Sequence, residues 1–399
     1  MSNAVSYELS GAIAVLTIDN PPVNALGLAV RQGLVEGIER AETDAQADAV
    51  LLIGAGRTFP AGADIREFGK PPVDPYLPEV VARIEACTKP VIAAMHGTAL
   101  GGGLEVGLSA HYRIADKSAR IGLPEVNLGI LPGAGGTQRT TRIAGAKATL
   151  DLATSGKPID ANAAHALGII DRIADGDLKD AALAYAHELI TAGAGPRPSG
   201  NRDEGLADET VNRAAIDATR ATLSKRARGQ FAPFRIVDCV EAALEKPISE
   251  GLAFEREQFL ACMETPQRQG MIHAFFAERT CTKVPEASRA QPRPLKQIAV
   301  IGGGTMGAGI TVAALNAGLP VVMVERDAKS IARGQANVEK VYDGMIKKDR
   351  MDDAGKAKHM ALYTPATEYS AMSDCDLIIE AVFENLEVKQ DVFRQLDQI

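Results

Sequence analysis

The chain has 399 residues, 46% hydrophobic and 24% charged, with a formal net charge of −8. This apolar content is enough for two or three buried cores. An acidic balance argues against non-specific nucleic-acid binding, which needs a basic face, and no apolar run is long enough to span a bilayer. Cys87, Cys239, Cys262, Cys281 and Cys375 lack C-x-x-C spacing and the six histidines are unpaired, so neither a disulfide frame nor a metal site is expected.

In chain order, the N-terminus (MSNAVSYELSG) has no basic segment followed by an apolar stretch, so no secretion signal is predicted. Residues 12–19 (AIAVLTID) form an apolar, β-branched run ending at Asn20-Pro21-Pro22. Residues 49–54 (AVLLIG) and 90–96 (PVIAAMH) read as two more buried strands, and residues 28–43 have helical periodicity. Alternating strand and helix predicts an α/β core. Residues 177–191 read as a helix, which the glycines and prolines of residues 192–201 break. Residues 203–279 predict a helical subdomain, and the proline-rich, basic stretch 281–296 a linker. A second α/β unit starts at Gln297. The expected domains are 1–195, 196–280 (helical), 281–296 (linker) and 297–399.

Three segments of the first unit carry chemistry: residues 59–68 (FPAGADIREF), 99–107 (ALGGGLEVG) and 121–139 (IGLPEVNLGILPGAGGTQR). Gly101, Gly102 and Gly103, followed by a helical pattern, suggest a helix N-terminus approached closely by another molecule, where free N–H groups favour negative charge. The turn Ala61-Gly62-Ala63 offers another N–H, and two such donors on one carbonyl oxygen make an oxyanion hole. Glu105 falls in the first turn of that helix, and Glu125 follows Pro124 on the next loop. Two carboxylates across one pocket suit proton delivery and water activation. Singly, each reads as a helix-start carboxylate, and the glycines as tight packing; the combination carries the argument.

Together NPPVNAL, FPAGADI, KPVIAAMHGTALGGGLE and GLPEVNLGILPGAGGTQR resemble the crotonase superfamily in order and spacing, over about residues 5–190. The resemblance implies a crotonase ββα-spiral fold and roles for particular residues. Backbone N–H groups of Ala63 and Gly102 would bind the thioester oxygen of an acyl-CoA. Glu105 would deprotonate the attacking water and Glu125 would protonate C2. Ala61, Asp64, Ile65 and Arg66 would receive CoA, with Arg66 near its phosphates. Both glutamates favour hydration, and Glu125 alone suits Δ3,Δ2-isomerisation. A CoA-ester hydrolase or an inactive scaffold are the alternatives. Acyl-chain length is expected to depend on the loop at 69–78 and on the helical segment.

In the second unit, residues 297–301 (QIAVI) run into Gly302-Gly303-Gly304-Thr305-Met306-Gly307, then a helix to about Asn316 and a strand ending before Glu325. A G-x-G-x-x-G in this setting, with an acid about 20 residues on, is a dinucleotide fingerprint. Gly302 permits the turn, Gly304 admits the pyrophosphate beside Thr305 and Met306, and Gly307 allows helix–strand contact. Glu325 would accept from the adenosine ribose, favouring NAD over NADP. GGGTMGAGI and IIEAVFENLEVK resemble the NAD domain of L-3-hydroxyacyl-CoA dehydrogenases. By that resemblance Glu380 and Glu384 lie near the nicotinamide edge and Lys389 helps bind the cofactor. That family's histidine base, supporting glutamate and C-terminal helical domain come later in its sequence. His359 lies in a polar helical stretch and is not assigned the role. The chain is therefore expected to be a fragment with hydratase but not dehydrogenase activity.

The order of these parts, with residues 230–279 as the connecting region, resembles the multifunctional β-oxidation enzymes, of the peroxisomal single-chain type. That implies acyl-CoA substrates, no thiolase partner, no metal, and a monomer or small homo-oligomer. The expected location is cytoplasmic, or peroxisomal if a signal lies beyond Ile399.

Overall fold

A computed structural model describes residues 4–67, 73–281 and 283–399. Phe68, the start of the 69–78 loop and Thr282 of the linker lie outside the described residues. The chain divides into two compact units, Met1–Thr282 and Lys283–Ile399.

The first unit is built on a six-stranded sheet. Its strands are β1 (Val5–Ser10), β2 (Ile13–Ile18), β3 (Ala49–Gly54), β4 (Val91–Met95), β6 (Tyr112–Ala115) and β9 (Arg172–Ile173), hydrogen-bonded in that order. β1 and β2 form an antiparallel hairpin, Ser10 opposite Ile13, and every other pairing is parallel. Strands covered on both faces read as near-continuous apolar runs, and β2, β3 and β4 do, with Thr17 of β2 the one polar residue among them. Alternation sorts their side chains into two cores: Leu16, Leu52 and Ala93 on one face, Val15, Leu51 and Ile92 on the other.

The helix Leu28–Thr43 covers the first face with Val30, Leu34, Ile38 and Ala41. A Cβ on Gly37 would come within 2.9 Å of Leu16, so this helix lies hard against β2. The helix Leu178–Thr191, capped by the Asp177 side chain, covers the other face.

A second sheet joins β5 (Thr98–Leu100), β7 (Arg120–Gly122) and β8 (Ile159–Asp160). The segment Gly136–Ser155 is helical on either side of Gly145, whose φ of 83° and ψ of 170° put a kink in it. The helices Glu209–Arg226, Ala232–Glu245 and Ile248–Met263 pack their inner faces (Ile216, Leu223, Ile236, Val240, Cys262) into the same core as β2 and β3. The helical segment therefore shares one apolar core with the sheet.

The second unit is a four-stranded parallel sheet, β12 (Tyr363–Ala366), β11 (Val321–Val324), β10 (Ile298–Ile301) and β13 (Leu377–Glu380), in that order. The helix Thr305–Asn316 links β10 to β11, and apolar clusters fill both faces. No described helix in the chain is long and apolar enough to cross a membrane.

Candidate active site and cofactor site

The three consecutive glycines stand where β5 turns into the helix Gly102–Ser109. Gly101 has φ 52°, a conformation that favours glycine. A Cβ there would be 2.7 Å from the Glu125 Oε1; on Gly102 it would be 3.3 Å from the Ala63 nitrogen, and on Gly103 1.7 Å from the Pro60 carbonyl oxygen. Each glycine thus admits a different neighbour: a carboxylate, the second turn, and the chain leading to it. That second turn is fixed by the Ala61 N–H donating to Val23 O (3.1 Å) and the Leu26 N–H donating to Gly62 O (3.0 Å). Among the described residues, the N–H groups of Ala63 and Gly102 have no acceptor. Two free donors side by side are what an oxyanion requires.

Glu105 lies in the first turn of the helix Gly102–Ser109 and is buried. Its Oε1 accepts from the Ala134 N–H (2.7 Å) and the Gly136 N–H (2.9 Å), at the start of the helix Gly136–Ser155. Burial raises its pKa, while these N–H groups and Arg139 oppose the rise. Glu125 opens the turn Glu125–Leu128, and its Oε2 is buried with no partner among the described residues. Desolvation first, then the charge of Glu105, push its carboxyl well above the usual carboxylate range. One acid is thus held by N–H donors that favour the anion, and the other sits where its neutral form is favoured. Such a division of environments is what a base and an acid in one site require.

A third carboxylate, absent from the sequence reading, sits beside them. Glu255, on the helix Ile248–Met263, is buried and accepts from the N–H groups of Gly135 (2.5 Å) and Thr137 (2.9 Å) and from the Thr137 hydroxyl. Burial, then the charge of Glu105, push it up to about 7. In the structure Gly251, Glu255, Gln258 and Cys262 are buried at helical spacing, so Glu255 stands on the inward face of its helix. Arg139 supports the same turn, donating to Ala134 O (3.0 Å) while forking onto Glu85 at 3.0 and 2.7 Å.

Ala61, Asp64, Ile65 and Arg66 share the stretch that carries Ala63. Arg66 is exposed, and its guanidinium is forked onto Asp64 at 2.8 and 2.7 Å. The cation expected to meet CoA phosphates is therefore already paired with its neighbour.

In the second unit, Gly302 has φ 100°, and a Cβ there would meet Ala381 O at 2.7 Å. A Cβ on Gly307 would lie 1.7 Å from Gly302 O, whereas at Gly304 it would meet nothing within 4 Å. The turn thus leaves an open cradle at Gly304, where the helix Thr305–Asn316 begins. Met306 is exposed. Glu325, just after β11, accepts from the Gly303 N–H (2.8 Å) at the edge of that cradle. Glu380 ends β13 and pairs with Lys389 at 2.9 Å, and the exposed Glu384 reaches Lys389 at 3.4 Å. His359 stacks on Tyr342, and its Nδ1 contacts Leu315 O (3.0 Å), which is a packing role.

Residues 8–196 match the enoyl-CoA hydratase/isomerase family, and residues 297–399 match the NAD-binding domain of 3-hydroxyacyl-CoA dehydrogenase. The chain is 39% identical over 402 residues to a peroxisomal bifunctional enzyme of Danio rerio, covering 98% of this chain and 54% of that protein. The chain thus joins an enoyl-CoA hydratase/isomerase domain to a 3-hydroxyacyl-CoA dehydrogenase NAD-binding domain.

The peroxisomal bifunctional enzyme of Homo sapiens is 35% identical over 399 residues, covering 98% of this chain and 54% of its own length. A peroxisomal fatty acid beta-oxidation multifunctional protein of Arabidopsis thaliana is 33% identical over 400 residues, with 97% and 55% covered. The chain spans about half the length of these relatives. An enoyl-CoA hydratase/isomerase structure from Pseudoalteromonas atlantica T6c matches with a TM-score of 0.51 at 23% identity, covering 69% of this chain and 98% of that one; the likeness is one of fold.

Proposed function

We propose that the first unit hydrates a trans-2-enoyl-CoA to the L-3-hydroxyacyl-CoA. The observation that carries this reading is the pairing of Glu105 and Glu125, in opposed environments, beside the free Ala63 and Gly102 N–H groups. The two N–H groups bind the thioester oxygen and draw electron density from the conjugated C=C, stabilising the enolate. Glu105 takes a proton from water as its oxygen bonds to C3. Glu125 delivers its proton to C2, so one water adds across the double bond. A second reading, Δ3,Δ2-enoyl-CoA isomerisation, rests on the unpartnered Glu125 Oε2, which can take a proton from C4 and return one to C2.

For the second unit we propose NAD as the cofactor. The open cradle at Gly304 and the helix start at Thr305 suit a pyrophosphate, and Glu325 would accept from the ribose hydroxyls. Glu380, Glu384 and Lys389 would stand near the nicotinamide, which when bound accepts a hydride. Oxidation by that cofactor would convert the hydratase product to a 3-ketoacyl-CoA, as a step of fatty-acid β-oxidation. Adding crotonoyl-CoA to the full chain tests the first reading. Loss of the conjugated enoyl absorbance with formation of a hydroxyacyl thioester is expected. Release of free CoA instead would make the unit a hydrolase.

A further inference from the structure

The hydration scheme uses two of the three buried carboxylates and leaves Glu255 without a task. Four consecutive N–H groups, of residues 134 to 137, are shared alternately between two acids. Ala134 and Gly136 donate to Glu105, and Gly135 and Thr137 donate to Glu255. The left-handed Gly135, φ 97°, lies within this alternation. The turn is therefore clamped from both sides, with Glu105 arriving from the helix Gly102–Ser109 and Glu255 from the helix Ile248–Met263. Close packing keeps the second helix in place. A Cβ on Gly133 would overlap the Phe259 ring at 2.4 Å, and one on Gly251 would overlap Gln138 Oε1 at 2.1 Å. A carboxylate buried here needs hydrogen-bond donors to be tolerated. The donors it has taken are those whose loss would let the peptides of the turn rotate.

We infer that Glu255 is a positioning residue of the hydratase site: by holding Gly135 and Thr137 it aims the Ala134 and Gly136 N–H groups at Glu105. The helical segment thereby completes the site. This inference rests on the hydratase reading above, and it concerns how Glu105 is aimed, not which group reacts. Its signature is an effect on turnover that passes through Glu105.

The test uses the full chain with Glu255→Gln, which keeps the side-chain shape but removes the double acceptor. Expected with crotonoyl-CoA is a fall in kcat of about 10- to 100-fold, the scale on which small misplacements act, with KM changed less than about twofold. In a Glu105→Gln background the same substitution should cost less than about twofold further, since the group it aims is already gone. Thr137→Val, which removes one hydroxyl donor to Glu255 and leaves the backbone in place, should lower kcat by a few-fold, roughly 3-fold. An unchanged kcat in folded Glu255→Gln protein overturns the inference, as does an equal loss in both backgrounds. If Glu255→Gln does not fold, Thr137→Val decides: unchanged kcat there overturns it. An active wild type with an indifferent Glu255 refutes this inference alone, whereas a wild type that hydrates nothing refutes the hydratase reading and this inference with it.

Discussion

The two units hold their acidic residues in opposite ways. In the first, the carboxyls of Glu105, Glu125 and Glu255 are enclosed; burial raises all three, and the charge of Glu105 adds to the rise of Glu125 and Glu255. In the second, Glu325, Glu380 and Glu384 stand at strand ends or beyond, and the Lys389 ammonium pulls Glu380 below the usual range. The difference matches the tasks proposed for the two sites. A carboxylate that must give or take a proton near neutrality has to be moved toward neutrality, which burial and like charge achieve. A carboxylate that only accepts hydrogen bonds from a cofactor should stay ionised, which water and a neighbouring cation achieve.

The largest effects should fall on the enclosed pair. Glu125→Gln and Glu105→Gln should each lower the hydration rate by about 10²- to 10⁴-fold, read as loss of enoyl absorbance. Glu384→Gln in the second unit should leave that rate within about twofold, because an exposed group on another unit has no part in it. Comparable losses from all three would erase the contrast.

Glycines sharpen the comparison further. Gly304→Ala adds a Cβ into open space, so thermal unfolding should stay within a few degrees, roughly 3 °C, while NAD affinity measured by calorimetry falls at least about tenfold because the cradle is filled. Gly307→Ala places a Cβ against Gly302 O and should disturb the fold itself. Equal stability losses from the two would show that the cradle is not open.

The units should also answer pH in opposite directions. Glu255 is raised to about 7 from an ordinary 4.5, so the folded state holds its proton more tightly than the unfolded chain does. Its contribution is complete below about 4.5 and is lost as pH rises through about 7, on the order of 3 kcal/mol. Glu105, Glu125, Arg142 and Cys239 share its electrostatic surroundings, and the first two titrate in the same sense. Subtracting the Glu255→Gln unfolding curve from wild type isolates the one group. The difference should move against wild type between about pH 4.5 and 7. Glu380 is lowered, so its contribution is present above about 4.5 and fades as pH falls through its folded value; Glu380→Gln minus wild type should change only in acid.

What was legible in the sequence follows the same division. The runs forming β2, β3 and β4 could be read because strands buried on both faces are almost continuously apolar, and the helix Leu178–Thr191 because Asp177 caps it. The dinucleotide turn is contiguous, so its glycines and Glu325 were visible as one pattern. The partly exposed β1 and the two- or three-residue strands β5, β7, β8 and β9 were not, since only long-range pairing defines them. Glu255 escaped for the same reason. Its partners lie about 120 residues away, and nothing local distinguishes it from Glu257 until the inward face of its helix is known.

The smallest expected effect concerns Arg66, where sequence and structure part most instructively. A basic residue beside the CoA turn suggested a phosphate ligand, but its guanidinium is forked onto Asp64. An exposed ion pair is worth little and is screened by salt, so a dianionic phosphate could compete for the cation only in part. Arg66→Ala should therefore raise KM for crotonoyl-CoA by no more than about threefold and leave kcat unchanged, because the contact is made equally in ground and transition states. Asp64→Asn should lower KM if the phosphate and Asp64 contend for the same guanidinium, with the gain vanishing at high salt. A KM that ignores both substitutions would show that Arg66 serves only to tie its own turn, leaving CoA to be held by backbone groups of the Ala61–Ile65 stretch.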